Sequence, residues 1–174
     1  MNYSDIPRFP HFAYQINVQW NYLEQHLKSW SELGEGALIL DPDFQRAHVW
    51  TEDQQRAYIE YMLQGGEVGK NITFVTISDK SWDWGDTLYL VDGKQRIESV
   101  RKFLRNEIKV FGYFKNEFEG ALRMYTDFIF RVCNLKTRAE MLQLYLNINA
   151  GGTPHTKGEI EKVRELLEAE ITGK

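Results

Sequence analysis

Cysteine is nearly absent from this sequence, and so are the patterns that mark secreted or membrane proteins. The single cysteine, Cys133, excludes an internal disulfide and any zinc site built on cysteines. Because Cys133 borders the apolar run at 128–130, we expect a buried, unreactive thiol. No apolar run approaches the length of a membrane span, and residues 1–11 lack the apolar segment of a signal peptide. The sequence therefore predicts a cytoplasmic protein with no membrane contact.

The sequence also lacks an excess of basic residues. Its 21 Lys and Arg are outnumbered by 25 Asp and Glu, which gives a net charge of −4 at pH 7. This balance argues against a surface that coats nucleic acid through charge alone. Proline and glycine are also few, at 4 and 13 residues, and no repeat or low-complexity linker is visible. With 43% hydrophobic residues, the composition is typical of one globular domain.

Hydrophobic periodicity predicts a mixture of short strands and helices. Apolar residues at helical spacing, together with three capping boxes that begin at Thr51, Thr137 and Thr156, define the helices. The helices are predicted over about 16–33, 51–64, 93–105, 137–148 and 156–171. Segments rich in β-branched and aromatic residues predict strands over 37–40, 71–77, 87–91, 108–114 and 128–132. Because strands and helices follow one another in an irregular order, we predict the α+β class rather than a doubly wound sheet.

The strongest local signal is the turn at 92–96, which reads Asp-Gly-Lys-Gln-Arg between a predicted strand and an amphipathic helix. A helix N-terminus carries unpaired N–H groups and partial positive charge, which suits a phosphate. Gly93 allows a close approach to the backbone, and Lys94 and Arg96 add charged donors. Asp92 can hold a divalent cation or orient a water. An alternative interpretation is that Asp92 only caps the helix and the basic side chains are solvated.

The segment at 44–50 is a second candidate for ligand binding. Gln45 and Arg46 supply hydrogen-bond donors, and Phe44 and Trp50 can form walls for a flat ligand such as a base. Alternatively, the two aromatic residues are core anchors and Arg46 pairs with a carboxylate.

The segment at 147–154, which reads Asn-Ile-Asn-Ala-Gly-Gly-Thr-Pro, is a third candidate. Asn149 can present its amide to a ligand, and Gly151 and Gly152 can present bare backbone. The two glycines equally suit an ordinary helix C-terminus. A polar loop holds Trp82 and Trp84, which either stack on bases, contact a partner protein or fold back over the core.

These three segments, in this order, resemble the N-terminal domain family of GmrSD-type modification-dependent restriction systems. That family has a ParB/sulfiredoxin-like domain whose signature turn reads Asp-Gly-Gln-Gln-Arg. The resemblance covers about residues 38–163 of a single domain over 1–174 and leaves 1–37 as an N-terminal helical extension. It implies a small mixed sheet flanked by helices, in a stand-alone member similar to phage-encoded proteins.

The resemblance implies a nucleotide-binding domain whose signature turn holds the phosphates and a metal. Carried over by position, it assigns Asp92, Gln95 and Arg96 as catalytic residues, with Asp92 as the ligand of Mg²⁺. The residues assigned to the nucleoside triphosphate itself are Gln45, Arg46, Gly93, Lys94, Asn149, Gly151 and Gly152.

Two departures from the family pattern favour binding over hydrolysis. Lys94 replaces the usual Gln and adds positive charge beside the phosphates. Asn147 stands where many members carry Arg, which removes one charge that would stabilise a transition state. We therefore expect nucleotide binding first and slow Mg²⁺-dependent hydrolysis second. No His-Asn-His cluster is present, so we do not expect nuclease activity from this chain alone.

Other functions stay open from the residues alone. The same basic turn could contact DNA or a partner protein in a non-enzymatic binding module, although the acidic net charge counts against DNA. A catalytically inactive remnant that is kept for assembly is a third alternative. The sequence predicts no oligomeric state.

Overall fold

Helices and strands alternate irregularly in the computed structural model of the chain, which describes residues 12–32, 38–45, 47, 50–77, 87–149 and 157–173. The strands are β1 (Phe12–Gln19), β2 (Leu38–Ile39), β3 (Asn71–Ile77), β4 (Leu88–Asp92) and β5 (Asp127–Leu135). The helices are α1 (Leu23–Ser31), α2 (Glu52–Leu63), α3 (Lys94–Leu104), α4 (Arg138–Asn149) and α5 (Lys157–Thr172). None of the described helices is both long and apolar enough to cross a membrane.

The strands of the described residues form one mixed sheet in the order β1-β5-β3-β4-β2. Strand β1 is antiparallel to β5, and β3 is antiparallel to β4. Strand β5 is parallel to β3, and β2 is parallel to β4. This mixed sheet with helices confirms the predicted α+β class.

The sheet separates two layers of apolar packing, because side chains alternate between its faces along each strand. In β4, Leu90 packs into the layer under α1, α2 and α3, while Val91 packs into the layer under α4 and α5. Cys133 lies fully buried in the second layer. Burial, with the charge of Glu140 adding to it, raises the pKa of the Cys133 thiol to about 11. The predicted burial of the thiol is therefore confirmed, and its low reactivity stays a prediction.

The predicted helix over 16–33 is wrong in its first half: within the extension over 1–37, the described helix α1 is preceded by a strand. The described chain begins with strand β1, continues in a short 3₁₀ turn over 20–22, and only then enters α1. Tyr14, Ile16 and Val18 alternate with polar residues and pack against the first apolar layer. This period of two, sustained by pairing with β5, outweighs the helical spacing that continues into α1.

The predicted strand over 108–114 is also wrong. An isolated bridge joins Val110 to Tyr113, and the residues between them form a tight turn. Phe111 and Gly112 both have positive φ there, at 52° and 84°. A backbone in the left-handed region reverses the chain, so the β-branched and aromatic content of the segment does not produce a strand.

Of the three predicted capping boxes, the one at Thr51 is confirmed in full and the one at Thr137 in part. At α2 the Thr51 hydroxyl accepts from the Gln54 N–H, and the Gln54 side chain accepts from the Thr51 N–H, so the capping box is complete. At α4 the Thr137 hydroxyl accepts from the Glu140 N–H, but the Glu140 carboxylate accepts from the N–H of Lys136 instead. The capping box predicted at Thr156 lies outside the described residues.

Candidate functional site

The predicted turn at 92–96 starts at the sheet edge where two parallel neighbours end. Strands β2 and β4 run in parallel, with Leu38 opposite Leu88, so their carboxyl ends meet at one edge. Asp41 follows β2 at this edge, and Asp92 is the last residue of β4. Open sheets commonly bind ligands just outside the carboxyl ends of parallel strands. The position of the turn therefore suits a binding site.

A β-bulge lies immediately before the turn. Thr73 pairs with Asp92 and Phe74 pairs with Leu90, so Val91 is an extra residue on β4. Bulges bend a strand and redirect the side chains that follow it. The bulge therefore changes the direction of the Asp92 side chain at the end of β4.

Gly93 is required by the geometry of the turn in two ways. Its φ of +107° lies in the left-handed region, where side chains are strained. A Cβ at this position would lie 2.4 Å from Cδ1 of Ile72, a residue of the adjacent β3. The glycine thus lets α3 begin directly against the sheet.

The alternative in which Asp92 caps α3 is wrong. Gly93 is the N-cap and has no side chain with which to cap the helix. The Asp92 carboxylate accepts from the Arg96 guanidinium, with Oδ2 and Nη2 2.5 Å apart. Asp92 therefore pairs with a cation in the first turn of α3 and is not its N-cap residue.

Arg96 is held on its other side by the loop that precedes β3. Its Nη1 donates to the Gly69 carbonyl at 3.3 Å, and the Tyr58 hydroxyl donates to the same oxygen at 3.0 Å. Burial raises the pKa of Tyr58 above its ordinary value; the Arg96 charge opposes that shift and the Asp92 charge adds to it. The Tyr58 phenol is therefore a neutral donor at pH 7.

Lys94 forms an ion pair across the sheet edge with Asp41. The Lys94 side chain is 13% exposed, whereas the Asp41 side chain is 75% exposed. Because the Asp41 carboxylate is largely exposed, water can replace Lys94 as its partner when the contact opens. Asp41 was not predicted as a site residue, because the sequence alone does not show that β2 lies beside β4.

Two predicted glutamines bind backbone at the site. The Gln45 side-chain amide donates to the carbonyls of Leu90 and Val91 at 3.0 and 2.8 Å. Gln95, 8% exposed, accepts from the Trp50 N–H at 3.1 Å and donates to the Ala47 carbonyl at 3.2 Å. These bonds fasten the segment around residues 44–50 to β4 and α3, which positions the wall of the site.

A cleft of about 500 Å³ brings together the predicted site residues that the structure describes. They are Gln45, Asp92, Gly93, Lys94, Gln95, Arg96 and Asn149. Further residues complete the lining, and the sequence did not predict most of them for the site. They include Tyr58, Val68, Gly69, Tyr145 and Ile148.

The third predicted segment reaches the cleft through the end of α4. Asn149 lines the cleft, and its side-chain amide donates to the Tyr145 carbonyl at 2.8 Å. Asn147 instead accepts from the Gln143 side chain on the helix surface. Gly151 and Gly152 lie outside the described residues, as do Arg46 and the tryptophans at 82 and 84.

The two aromatic residues of the 44–50 segment differ in environment. Phe44 is buried and packs edge-to-face on Tyr145, with ring centroids 5.2 Å apart. Trp50 is half-buried, lines the cleft and contacts the Tyr58 ring edge-to-face at 5.5 Å. The core-anchor interpretation is therefore confirmed for Phe44, whereas Trp50 belongs to the cleft.

Asp92 is the one carboxylate among the described residues that line the cleft. Within the described part of the chain, no group of three or more His, Cys, Asp or Glu side chains is arranged to hold a metal ion. Mg²⁺ is commonly bound through one or two carboxylates, with phosphate oxygens and water completing an octahedron. Asp92 fits the part of a single protein ligand, in a site that ligand phosphates would have to complete.

Comparison with protein families places the chain among known domains. No significant match was found among curated proteins or among solved structures. One family model matches over residues 27–131, described as the GmrSD restriction endonuclease N-terminal domain. This range includes α2, α3 and the turn at 92–96, and it ends before the segment at 147–154. Because the match covers more than half of the 174 residues, the chain belongs to the GmrSD restriction endonuclease N-terminal domain family.

Proposed function

We propose that the cleft binds a nucleoside triphosphate, with its phosphates at the N-terminus of α3. The observation that carries this proposal is the convergence of the N-terminus of α3, which begins after Gly93, with Lys94 and Arg96 in the lining of one cleft. Backbone N–H groups at a helix N-terminus bind phosphate, and two adjacent cations strengthen that binding. The volume of about 500 Å³ is within the range of small-molecule sites.

Phosphate binding at this site is an exchange of ion pairs, in which phosphate oxygens replace two carboxylates. Without a ligand, Arg96 binds Asp92 and Lys94 binds Asp41, so each carboxylate occupies the place of a phosphate oxygen. Asp41 is largely exposed and becomes solvated readily when Lys94 turns to a phosphate. Arg96 can keep its bond to the Gly69 carbonyl through one nitrogen while the other binds the ligand. The exchange therefore preserves the number of charge-assisted hydrogen bonds.

The proposed cofactor is Mg²⁺ that enters with the triphosphate, and Asp92 is its proposed protein ligand. When bound, the ion would neutralise phosphate charge and polarise a phosphoryl oxygen. The Gln95 side-chain amide donates to the Ala47 carbonyl and accepts from the Trp50 N–H. These backbone bonds suit a positioning role more than a catalytic one. We therefore propose binding as the main activity and slow hydrolysis as a secondary one. Within a restriction system, such a chain would act as the regulatory domain.

Calorimetric titration of the protein with ATP, GTP, CTP and UTP, each with and without Mg²⁺, tests the proposal. We expect submillimolar binding of at least one triphosphate, tighter when Mg²⁺ is present, and slow phosphate release in a colorimetric assay. Absence of binding by all four nucleotides at millimolar concentration would refute it. If a DNA duplex bound instead, with an affinity that falls steeply with salt, the DNA-binding alternative would replace the proposal.

A further inference from the structure

Part of the cleft lining is apolar, and the phosphate site does not explain it. Val68 lines the cleft and is 78% exposed, although an aliphatic side chain gains nothing from contact with water. The Trp50 and Tyr58 rings also line the cleft, and they contact each other edge-to-face. We call Trp50, Tyr58 and Val68 the aromatic wall.

The aromatic wall is fixed in place relative to Arg96. The Val68 N–H donates to the Tyr61 hydroxyl at 3.2 Å, and the next residue, Gly69, receives hydrogen bonds from Tyr58 and Arg96 through its carbonyl. Gly69 has a φ of +88°, and a Cβ there would lie 3.3 Å from the Tyr58 ring. The glycine therefore allows the loop that carries Val68 to close against both Tyr58 and Arg96.

Trp50 is equally constrained through its backbone. Its N–H donates to the Gln95 side chain at 3.1 Å, and its carbonyl accepts from the Gln55 side chain at 2.8 Å. Both glutamines are buried, at 8% and 3% exposure. A half-buried indole that is held by two buried amides beside an anion site is a preformed surface for a flat ligand.

The α4 residues that line the cleft offer less apolar surface than Val68. Tyr145 is 2% exposed and packs on Phe44, and the partly buried Ile148 packs into the second apolar layer. The Asn149 side-chain amide donates a hydrogen bond to the Tyr145 carbonyl. Apolar surface that is both exposed and adjacent to Arg96 is thus found at the aromatic wall.

We infer that the aromatic wall is the base subsite of the cleft and that it favours purine over pyrimidine nucleotides. This inference rests on the proposed function. A base stacks on an aromatic face through its π surface, and a purine offers more of that surface than a pyrimidine. The polar side-chain groups of the wall are the Tyr58 hydroxyl, which donates to the Gly69 carbonyl, and the Trp50 indole N–H. The wall therefore distinguishes bases mainly by the size of the ring that stacks on it.

The test compares inorganic tripolyphosphate with ATP, GTP, CTP and UTP by calorimetric titration. Tripolyphosphate carries the phosphates without a base, so it reports on the phosphate site alone. For the unmodified protein we expect ATP and GTP each to bind more tightly than CTP, UTP and tripolyphosphate. For Trp50→Leu we expect a loss of about tenfold in ATP affinity, and for Val68→Ser about threefold. Neither substitution should change tripolyphosphate affinity.

A matched control for the exposed Val68 is Ile171→Ser, because Ile171 is 70% exposed on α5, away from the cleft. It should leave every affinity unchanged. Val68 is on the surface, so Val68→Ser keeps the test valid even if Trp50→Leu fails to fold. Equal affinity for ATP and tripolyphosphate, or loss of ATP affinity in Ile148→Ser but not in Val68→Ser, would overturn the base subsite alone. Failure of tripolyphosphate and all nucleotides to bind would overturn the proposed function, and the base subsite with it.

Discussion

Replacing Gly93 by alanine should destabilise the protein by about 2–5 kcal/mol. An L-residue at a φ of +107° costs about 1–2 kcal/mol in backbone strain. The added Cβ would lie 2.4 Å from Cδ1 and 3.2 Å from Cγ2 of Ile72, and overpacking of this kind typically costs about 1–3 kcal/mol. Ile72 is fully buried in the sheet, so it has little room to move away.

Urea unfolding followed by circular dichroism measures this loss, and two further variants separate its causes. Gly112 also has a positive φ, +84°, but nothing lies within 4 Å of the position of its Cβ. Gly112→Ala should therefore cost only the backbone part, about 1–2 kcal/mol. Ile72→Val removes Cδ1, so the double variant with Gly93→Ala should be more stable than the sum of the two single losses predicts. Equal losses in Gly93→Ala and Gly112→Ala, with additive behaviour in the double variant, would refute the steric argument.

Three further predictions concern single side chains. Asp41→Asn should raise the affinity for tripolyphosphate about two- to fivefold in a calorimetric titration, because the Asp41 carboxylate then no longer competes with the phosphate for Lys94. An unchanged or lower affinity would contradict the exchange of ion pairs. Cys133, with its raised pKa and complete burial, should react with a thiol reagent at pH 8 about a hundredfold more slowly than free cysteine, and full reactivity in folded protein would show that the thiol is accessible. Burial beside Trp30 lowers the pKa of His26, so the unfolded chain binds the proton first and stability should fall as the pH drops below about 6.5. His26→Gln should reduce that fall in urea unfolding at pH 7 and pH 5, and an identical pH dependence in both proteins would refute it.

The sequence predicts a helix or strand correctly where the residues within that element determine its structure. The capping box at Thr51 and the β-branched run over 71–77 predict α2 and β3 closely, because capping and strand propensity are local. The structure of the N-terminal segment instead depends on tertiary pairing, because β1 forms by pairing with β5, more than a hundred residues away in the sequence. The turn at Phe111 and Gly112 depends on backbone angles that the apolar content of the segment does not indicate.

The same holds for the candidate site: its contiguous residues can be predicted from the sequence, whereas contacts between residues distant in the sequence cannot. The sequence identifies the turn at 92–96, since its residues are contiguous and their chemistry suits an anion. It does not identify Asp41, Tyr58 or Gly69, whose contacts with the turn depend on which strands are neighbours and on how α2 packs against α3. It also does not show that Gln45 and Gln95 bind backbone, which makes them supports of the cleft wall.

Binding of tripolyphosphate without Mg²⁺, measured by calorimetry for Arg96→Gln, Arg101→Gln and Asp92→Asn, tests the central claim most directly. Arg101 lies on the same helix and is paired with Glu24 and Glu98, away from the cleft, so it controls for loss of one positive charge. Asp92→Asn removes the ion pair between Asp92 and Arg96 but keeps the Arg96 guanidinium, so it controls for loss of that pair. We predict that Arg96→Gln weakens binding about ten- to a hundredfold, that Arg101→Gln changes it little, and that Asp92→Asn preserves or strengthens it. Equal affinity in the Arg96→Gln and unmodified proteins would contradict the claim that the phosphates bind at the N-terminus of α3.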